Sequence, residues 1–195
     1  MTVANVIEWI AVGFGLAYLV LAMKEHIACW LMALISTVLF LWLFWQAQLW
    51  MESALQLYYI AMAFIGWRQW RGHHTRSPRQ IQTLSLRLHG AIIVSILLLS
   101  LLSGVLLENS TNANQPYLDS FTTWGAIITT VMVAFKILEN WLYWIVVDIA
   151  SMVLYANSEL WVTTGLFALY CILAVLGYRE WRQRYHLQTS TSSTL

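Results

Sequence analysis

Five residues of one stretch, Trp141, Trp144, Asp148, Ser151 and Tyr155, are spaced 3, 4, 3 and 4, which puts them on a single face of an α-helix. Two indoles, a carboxylate, a hydroxyl and a phenol make an aromatic wall with one anionic acceptor. That chemistry suits a flat, cationic, hydrogen-bonding solute held by stacking and cation–π attraction. The opposite face is wholly apolar: Ile145, Val146, Ile149, Met152 and Val153. A helix interface joined by polar contacts, with Trp141 as a membrane-boundary residue, explains the same stripe structurally. Further polar candidates are Gln56 and Tyr59, with Tyr58 one residue off their face, then Ser36 and Thr37, then Thr163, Thr164 and Tyr170. Each of these can also simply bond across helices.

The elements that must position these groups follow from composition. The chain has 195 residues, 60% hydrophobic and 10% charged, with a mean hydropathy of +0.66. Soluble domains are about half apolar and a quarter charged, so a water-soluble globule is excluded, and twelve Trp exclude disorder. A net charge of +1 gives no basic field for nucleic acid. Cys29 and Cys171 lie in apolar stretches and read as small core residues. Seven stretches approach the roughly 20 apolar residues that span a bilayer: 5–23, 27–45, 50–67, 91–107, 121–138, 140–155 and 160–178. Residues 1–8 lack a basic n-region and carry Glu8, so no cleavable signal peptide is expected.

Cytoplasmic loops collect Lys and Arg. With seven spans all ten fall on one side: Lys24, the group Arg68, Arg71, Arg76, Arg79 and Arg87, Lys136, and Arg179, Arg182 and Arg184. The expected topology has the N-terminus outside and the C-terminus in the cytoplasm of the bacterial inner membrane. A basic cytoplasmic loop covers 68–90, and the polar tail 186–195 is expected to be disordered.

Shifting the chain by 111 residues lays 30–70 on 141–181. Trp30 then meets Trp141, Trp50 meets Trp161, Tyr59 meets Tyr170, Gly66 meets Gly177, Arg68 meets Arg179, and Trp70 meets Trp181. Leu and Ala matches are cheap in apolar segments; shared Trp, Tyr and Gly are not. The expected fold is one integral membrane domain over 1–185, all-α. Repeat one covers 1–70, a linker helix 91–107 and repeat two 121–181. One intervening helix restores the orientation, so this is a 3+1+3 parallel repeat, a transporter architecture.

Charged side chains inside a bilayer are costly and mark function by default. Glu8, Glu25, Glu52, Glu139 and Lys136 can reach an interface; Asp148, flanked by Ile145, Val146, Val147 and Ile149, cannot. The five histidines, His26, His73, His74, His89 and His186, fall at the cytoplasmic surface. No zinc spacing, nucleophile–base set or phosphate-cradling glycine loop is present, so an enzyme is not expected, nor a cofactor, nor a metal.

The run Glu139-Asn140-Trp141 through Tyr155, ENWLYWIVVDIASMVLY, and the closing GYREW at Gly177–Trp181 resemble the PnuC family of bacterial vitamin transporters over residues 5 to 184. The resemblance implies a fold related to the SWEET sugar transporters, often a homotrimer, and inward facilitated diffusion of a vitamin precursor, with nicotinamide riboside the main expectation and thiamine the alternative. It also implies trapping by a cytoplasmic kinase that makes no direct contact. Matched by position, the implied site residues are Asn140, Trp141, Trp144, Tyr155 and Gln56; the residue reading adds Asp148, Ser151, Tyr59 and Thr37. Nicotinamide riboside carriers of the family commonly have Asn where this chain has Asp148, which bears on the solute and not on the fold. A seven-helix receptor is the rival from another class, but a receptor has no reason to duplicate three helices.

Overall fold

The computed structural model describes residues 3–46, 50–71, 80–110, 115–159 and 161–192. Among them are seven α-helices: α1 (Val3–Met23), α2 (Cys29–Gln46), α3 (Trp50–Arg71), α4 (Leu86–Ser110), α5 (Pro116–Ala134), α6 (Asn140–Asn157) and α7 (Trp161–Ser192). The chain forms two units, residues 1–80 and 81–195. α1, α2 and α4 are long and apolar enough to cross a membrane by length and composition. Arg76 and Arg79, with His73 and His74, lie outside the described residues, as do residue 160 and the side chain of Glu52.

In the first unit, α1 ends in a Schellman turn. Glu25 is left-handed at φ 53°, its N–H donates to the Ala22 carbonyl at 3.0 Å, and the His26 N–H reaches back to Leu21 at 2.9 Å. Glycine usually takes this position because a side chain there costs about 1–2 kcal/mol. The second unit makes the same turn 111 residues on. Lys136 is left-handed at φ 52°, donating to Val133 at 3.0 Å, and Ile137 donates to Met132 at 3.0 Å.

Each turn delivers a tryptophan onto a glycine. The Trp30 ring lies on Gly66, where an added Cβ would fall 2.2 Å from the indole, and meets Trp70 edge-on at 5.5 Å and 88°. Trp141 lies on Gly177, where a Cβ would fall 2.6 Å away, and meets Trp181 at 5.5 Å and 87°. α2 and α3, and likewise α6 and α7, approach closely because the facing residue has no side chain.

In the second unit the helices are held at both ends. Gln82 bridges to the α5–α6 turn: its N–H donates to the Lys136 carbonyl at 3.0 Å, its carbonyl accepts from Leu138 at 2.8 Å, and its Nε2 donates to the Phe135 carbonyl at 2.9 Å. At the other end Trp124 Nε1 donates to Ser103 at 2.9 Å, and Asn157 donates to Gln115 at 2.9 Å.

Three boundaries depart from expectation. α4 begins five residues before 91, because Leu86 and Leu88 continue its apolar run. α5 stops at Ala134 and not at 138, since the Schellman turn ends it without any glycine to announce it. α7 runs to Ser192, so the tail expected to be disordered is helical over 186–192, and residues 193–195 lie outside the described residues. Extending a formed helix adds one hydrogen bond per residue without a new nucleus. The short polar side chains of the tail join it: Thr189 Oγ1 donates to the Tyr185 and His186 carbonyls and Ser190 Oγ to the Leu187 carbonyl. One turn earlier Arg184 pairs with Glu180 at 2.8 Å.

The glycine contacts predict a paired response. Gly66→Ala and Gly177→Ala should each lower the melting temperature of the detergent-solubilised protein, by about 1–3 kcal/mol of overpacking. Gly13→Ala and Gly165→Ala, where a Cβ meets nothing within 4 Å, should be neutral or stabilising. Equal responses at all four glycines would contradict this packing.

Candidate functional site

The polar stripe of α6 lies inside and the apolar stripe outside. Trp141, Asp148 and Ser151 are buried, with Asp148 only 3% exposed, while Val146, Ile149 and Val153 are exposed. α7 presents a matching face, Phe167, Tyr170, Ala174, Gly177 and Trp181, also spaced 3, 4, 3 and 4. The two faces meet antiparallel. Trp141 sits on Gly177 and Trp181, Asp148 acts electrostatically on Tyr170 and Cys171, and Tyr155 stacks on Phe167 at 5.2 Å and 27°.

The members of the stripe differ in what they are free to do. Trp141 is committed to the α6–α7 seam, although its Nε1 finds no acceptor among the described residues. Asn140 is fully buried at the start of α6, its Nδ2 donating to the Ile137 carbonyl at 2.6 Å and its Oδ1 without a partner among the described residues. Trp144 is half-buried and Ser151 buried. Among the described residues no hydrogen bond or ion pair reaches the Asp148 carboxylate. A buried charge without partners is costly, so this group is set up for a cation that the fold itself does not supply.

Glu139, expected to anchor at an interface, lies 3.8 Å from His89 Nε2. His89 Nδ1 in turn bonds the Tyr143 hydroxyl at 2.9 Å, tying the start of α4 to α6.

The first unit holds the remaining candidates. Thr37, which the 111-residue shift lays on Asp148, donates to the Ala33 and Leu34 carbonyls of its own helix at 2.9 and 3.1 Å, so its hydroxyl is occupied locally. Ser36 ties α2 to α1 through the Ala11 carbonyl at 2.8 Å. Gln56 is buried and Tyr59 half-buried on α3. The structure therefore brings Trp141, Trp144, Asp148, Ser151 and Tyr155 onto one seam, puts Asn140 at its end, and places Thr37, Gln56 and Tyr59 in the other unit.

Phe167 and Cys171 were absent from the sequence reading of the site. The signal was available: the same spacing on the last helix, hidden because Phe, Ala and Gly look like ordinary apolar filling. Among the described residues no three His, Cys, Asp or Glu side chains could hold a metal ion.

Known proteins place this arrangement. A family model described as nicotinamide mononucleotide transporter matches residues 5–183. The nicotinamide riboside transporter PnuC of Escherichia coli is 26% identical over 206 residues, spanning 90% of this chain and 85% of that protein. The transporter of the same name from Neisseria mucosa is 25% identical over 187 residues, 88% of this chain and 70% of its own length. A crystal structure of the vitamin B3 transporter PnuC matches with a TM-score of 0.71 at 23% identity, covering 91% of this chain and 80% of that one. The likeness establishes the fold.

An unpartnered buried carboxylate predicts that Asp148→Asn, which keeps the shape and removes the charge, raises the melting temperature of the solute-free protein. A fall would mean that the carboxylate has a structural partner, and the site reading would not stand.

Proposed function

The chain belongs to the nicotinamide mononucleotide transporter family, and from that footing we propose that it carries nicotinamide riboside into the cell by facilitated diffusion, a cytoplasmic kinase then trapping the solute. It is a multi-pass protein of the bacterial inner membrane. The observation that carries the proposal is Asp148, 3% exposed on α6 and without a hydrogen bond or ion pair among the described residues. Nicotinamide riboside offers what this group lacks: a flat pyridinium with a fixed positive charge, an amide and ribose hydroxyls. A cation crossing a low-dielectric layer needs a counter-charge along the way, and a carboxylate beside Trp144 supplies charge and π-face together.

The proposal includes how the halves are built. α1–α3 and α5–α7 are parallel repeats and α4 the linker, with the N-terminus outside and the C-terminus in the cytoplasm. Supporting this, the left-handed residues Glu25 and Lys136, the Schellman turns around them and the Trp-on-Gly contacts all recur at an offset of 111 residues. Rocking of one such half against the other exposes a midplane site to each side in turn. Thiamine is the second reading, favoured by the same carboxylate, which would also accept its aminopyrimidine and face its thiazolium.

Proteoliposomes holding the protein should bring labelled nicotinamide riboside to equal concentrations inside and out, without ATP and unaffected by uncouplers. Asp148→Ala should raise the half-saturating concentration about ten- to a hundredfold, the equivalent of a charge-assisted hydrogen bond of about 1.5–3 kcal/mol. Asp148→Asn should be nearly as damaging if charge is what the site reads. Accumulation above the outside concentration, or unchanged saturation in both variants, would contradict the proposal.

Topology is tested separately. A cysteine introduced at Ser158, in a background lacking Cys29 and Cys171, should react with an impermeant maleimide added outside whole cells, and one at Ser190 only after the membrane is opened. Reaction of both from outside would overturn the orientation.

A further inference from the structure

We infer that Cys171 is a thiol within the solute site, open to covalent modification by small cationic thiol reagents that compete with the solute. The inference rests on the reading of Asp148 given above and adds a reactive group to it. The chain has two cysteines, and they differ in access: Cys29 is 0% exposed at the start of α2, whereas Cys171 is a free thiol of intermediate exposure in the middle of α7. It follows Tyr170 directly, and Tyr170 belongs to the α7 face that meets α6.

The Asp148 carboxylate acts electrostatically on both Tyr170 and Cys171. It is itself 3% exposed, and among the described residues nothing pairs with it. The other helix packed on α6, α5, has no ionisable side chain between Asp119 and Lys136. In this unit, then, the groups facing the carboxylate are a phenol and a thiol, neither of which is a cation. A thiol is only a weak hydrogen-bond donor, so it leaves the charge uncompensated. A cation drawn to Asp148 is therefore delivered to the neighbourhood of the Cys171 Sγ.

Aminoethyl methanethiosulfonate is such a cation, with an electrophilic sulfur. The Cys171 Sγ attacks that sulfur, the sulfur–sulfonyl bond breaks, and methanesulfinate leaves with the electron pair while the thiol proton passes to water. The thiol is oxidised to a mixed disulfide and the thiosulfonate reduced to sulfinate. The product carries an ammonium group beside Asp148, where the solute's own charge would sit.

The test is peptide mass spectrometry of the full-length protein in proteoliposomes, timed after addition of reagent, alongside uptake of nicotinamide riboside. The expected result is labelling at Cys171 that abolishes uptake and is slowed at least about tenfold by saturating nicotinamide riboside. The anionic sulfonatoethyl reagent should label at least about tenfold more slowly than the cationic one, since a carboxylate enriches counter-ions locally. Asp148→Asn should bring the two rates together. Whatever uptake Cys171→Ser retains should be insensitive to reagent. Labelling unaffected by solute, equal labelling by both reagents in the unsubstituted protein, or no labelling at Cys171 would overturn the inference. If solute protects Cys171 while Asp148→Asn leaves solute affinity unchanged, the thiol stands in the site and the carboxylate reading fails. If Asp148→Asn weakens the solute and Cys171 is unprotected, the reverse holds.

Discussion

A tryptophan lying on a glycine is the contact on which the other features depend. Trp141 can occupy the seam between α6 and α7 only because residue 177 has no Cβ, the nearest indole atom being 2.6 Å from where one would be. The edge-on packing against Trp181 then fixes the register of the two helices. Given that register, the 3, 4, 3, 4 spacing on each helix brings Asp148 opposite Tyr170 and Tyr155 opposite Phe167. The same contact between Trp30 and Gly66 sets α2 against α3. It has a cost: the Nε1 donors of both Trp30 and Trp141 lack acceptors among the described residues, about 1–3 kcal/mol each when desolvated. Both units keep that cost, so the gain from packing two indoles against backbone must exceed it.

Much of this was legible in the sequence because it rests on residue types that cannot be exchanged cheaply. Trp, Tyr and Gly recurring at a fixed offset announced the seam, and the face of α6 followed from helical periodicity alone. What remained hidden depends on backbone conformation. Glu25 and Lys136 adopt left-handed geometry that sequence rules reserve for glycine, so the end of α5 was placed four residues late. The bridge from Gln82 to the α5–α6 turn uses mainly peptide groups, which every residue carries. The helical tail of α7 defeated a composition argument, because Thr and Ser, poor helix formers in isolation, follow a helix already nucleated by a buried apolar stretch.

Within the site the two units play unequal parts. Thr37 binds its own helix, while Asp148 at the equivalent position binds nothing among the described residues. A symmetric scaffold thus carries one asymmetric charge. Conserving the packing positions while varying one polar position is an economical way for a repeat protein to acquire specificity, since the substitution touches no part of the seam that sets the register. It also explains why Trp141 and Trp144, three residues apart on one face, have different roles: the first holds the helices together and the second is left half-buried beside the carboxylate.

The central claim is that the α6–α7 seam, through Asp148, receives the solute. A crystal structure of the protein grown with nicotinamide riboside tests it most directly. The account requires the pyridinium beside the Asp148 carboxylate with its ring against Trp144, and the Trp30 and Trp141 rings still seated on their glycines. Density for the solute away from α6, with the Asp148 carboxylate paired to a side chain of the protein itself, would contradict it.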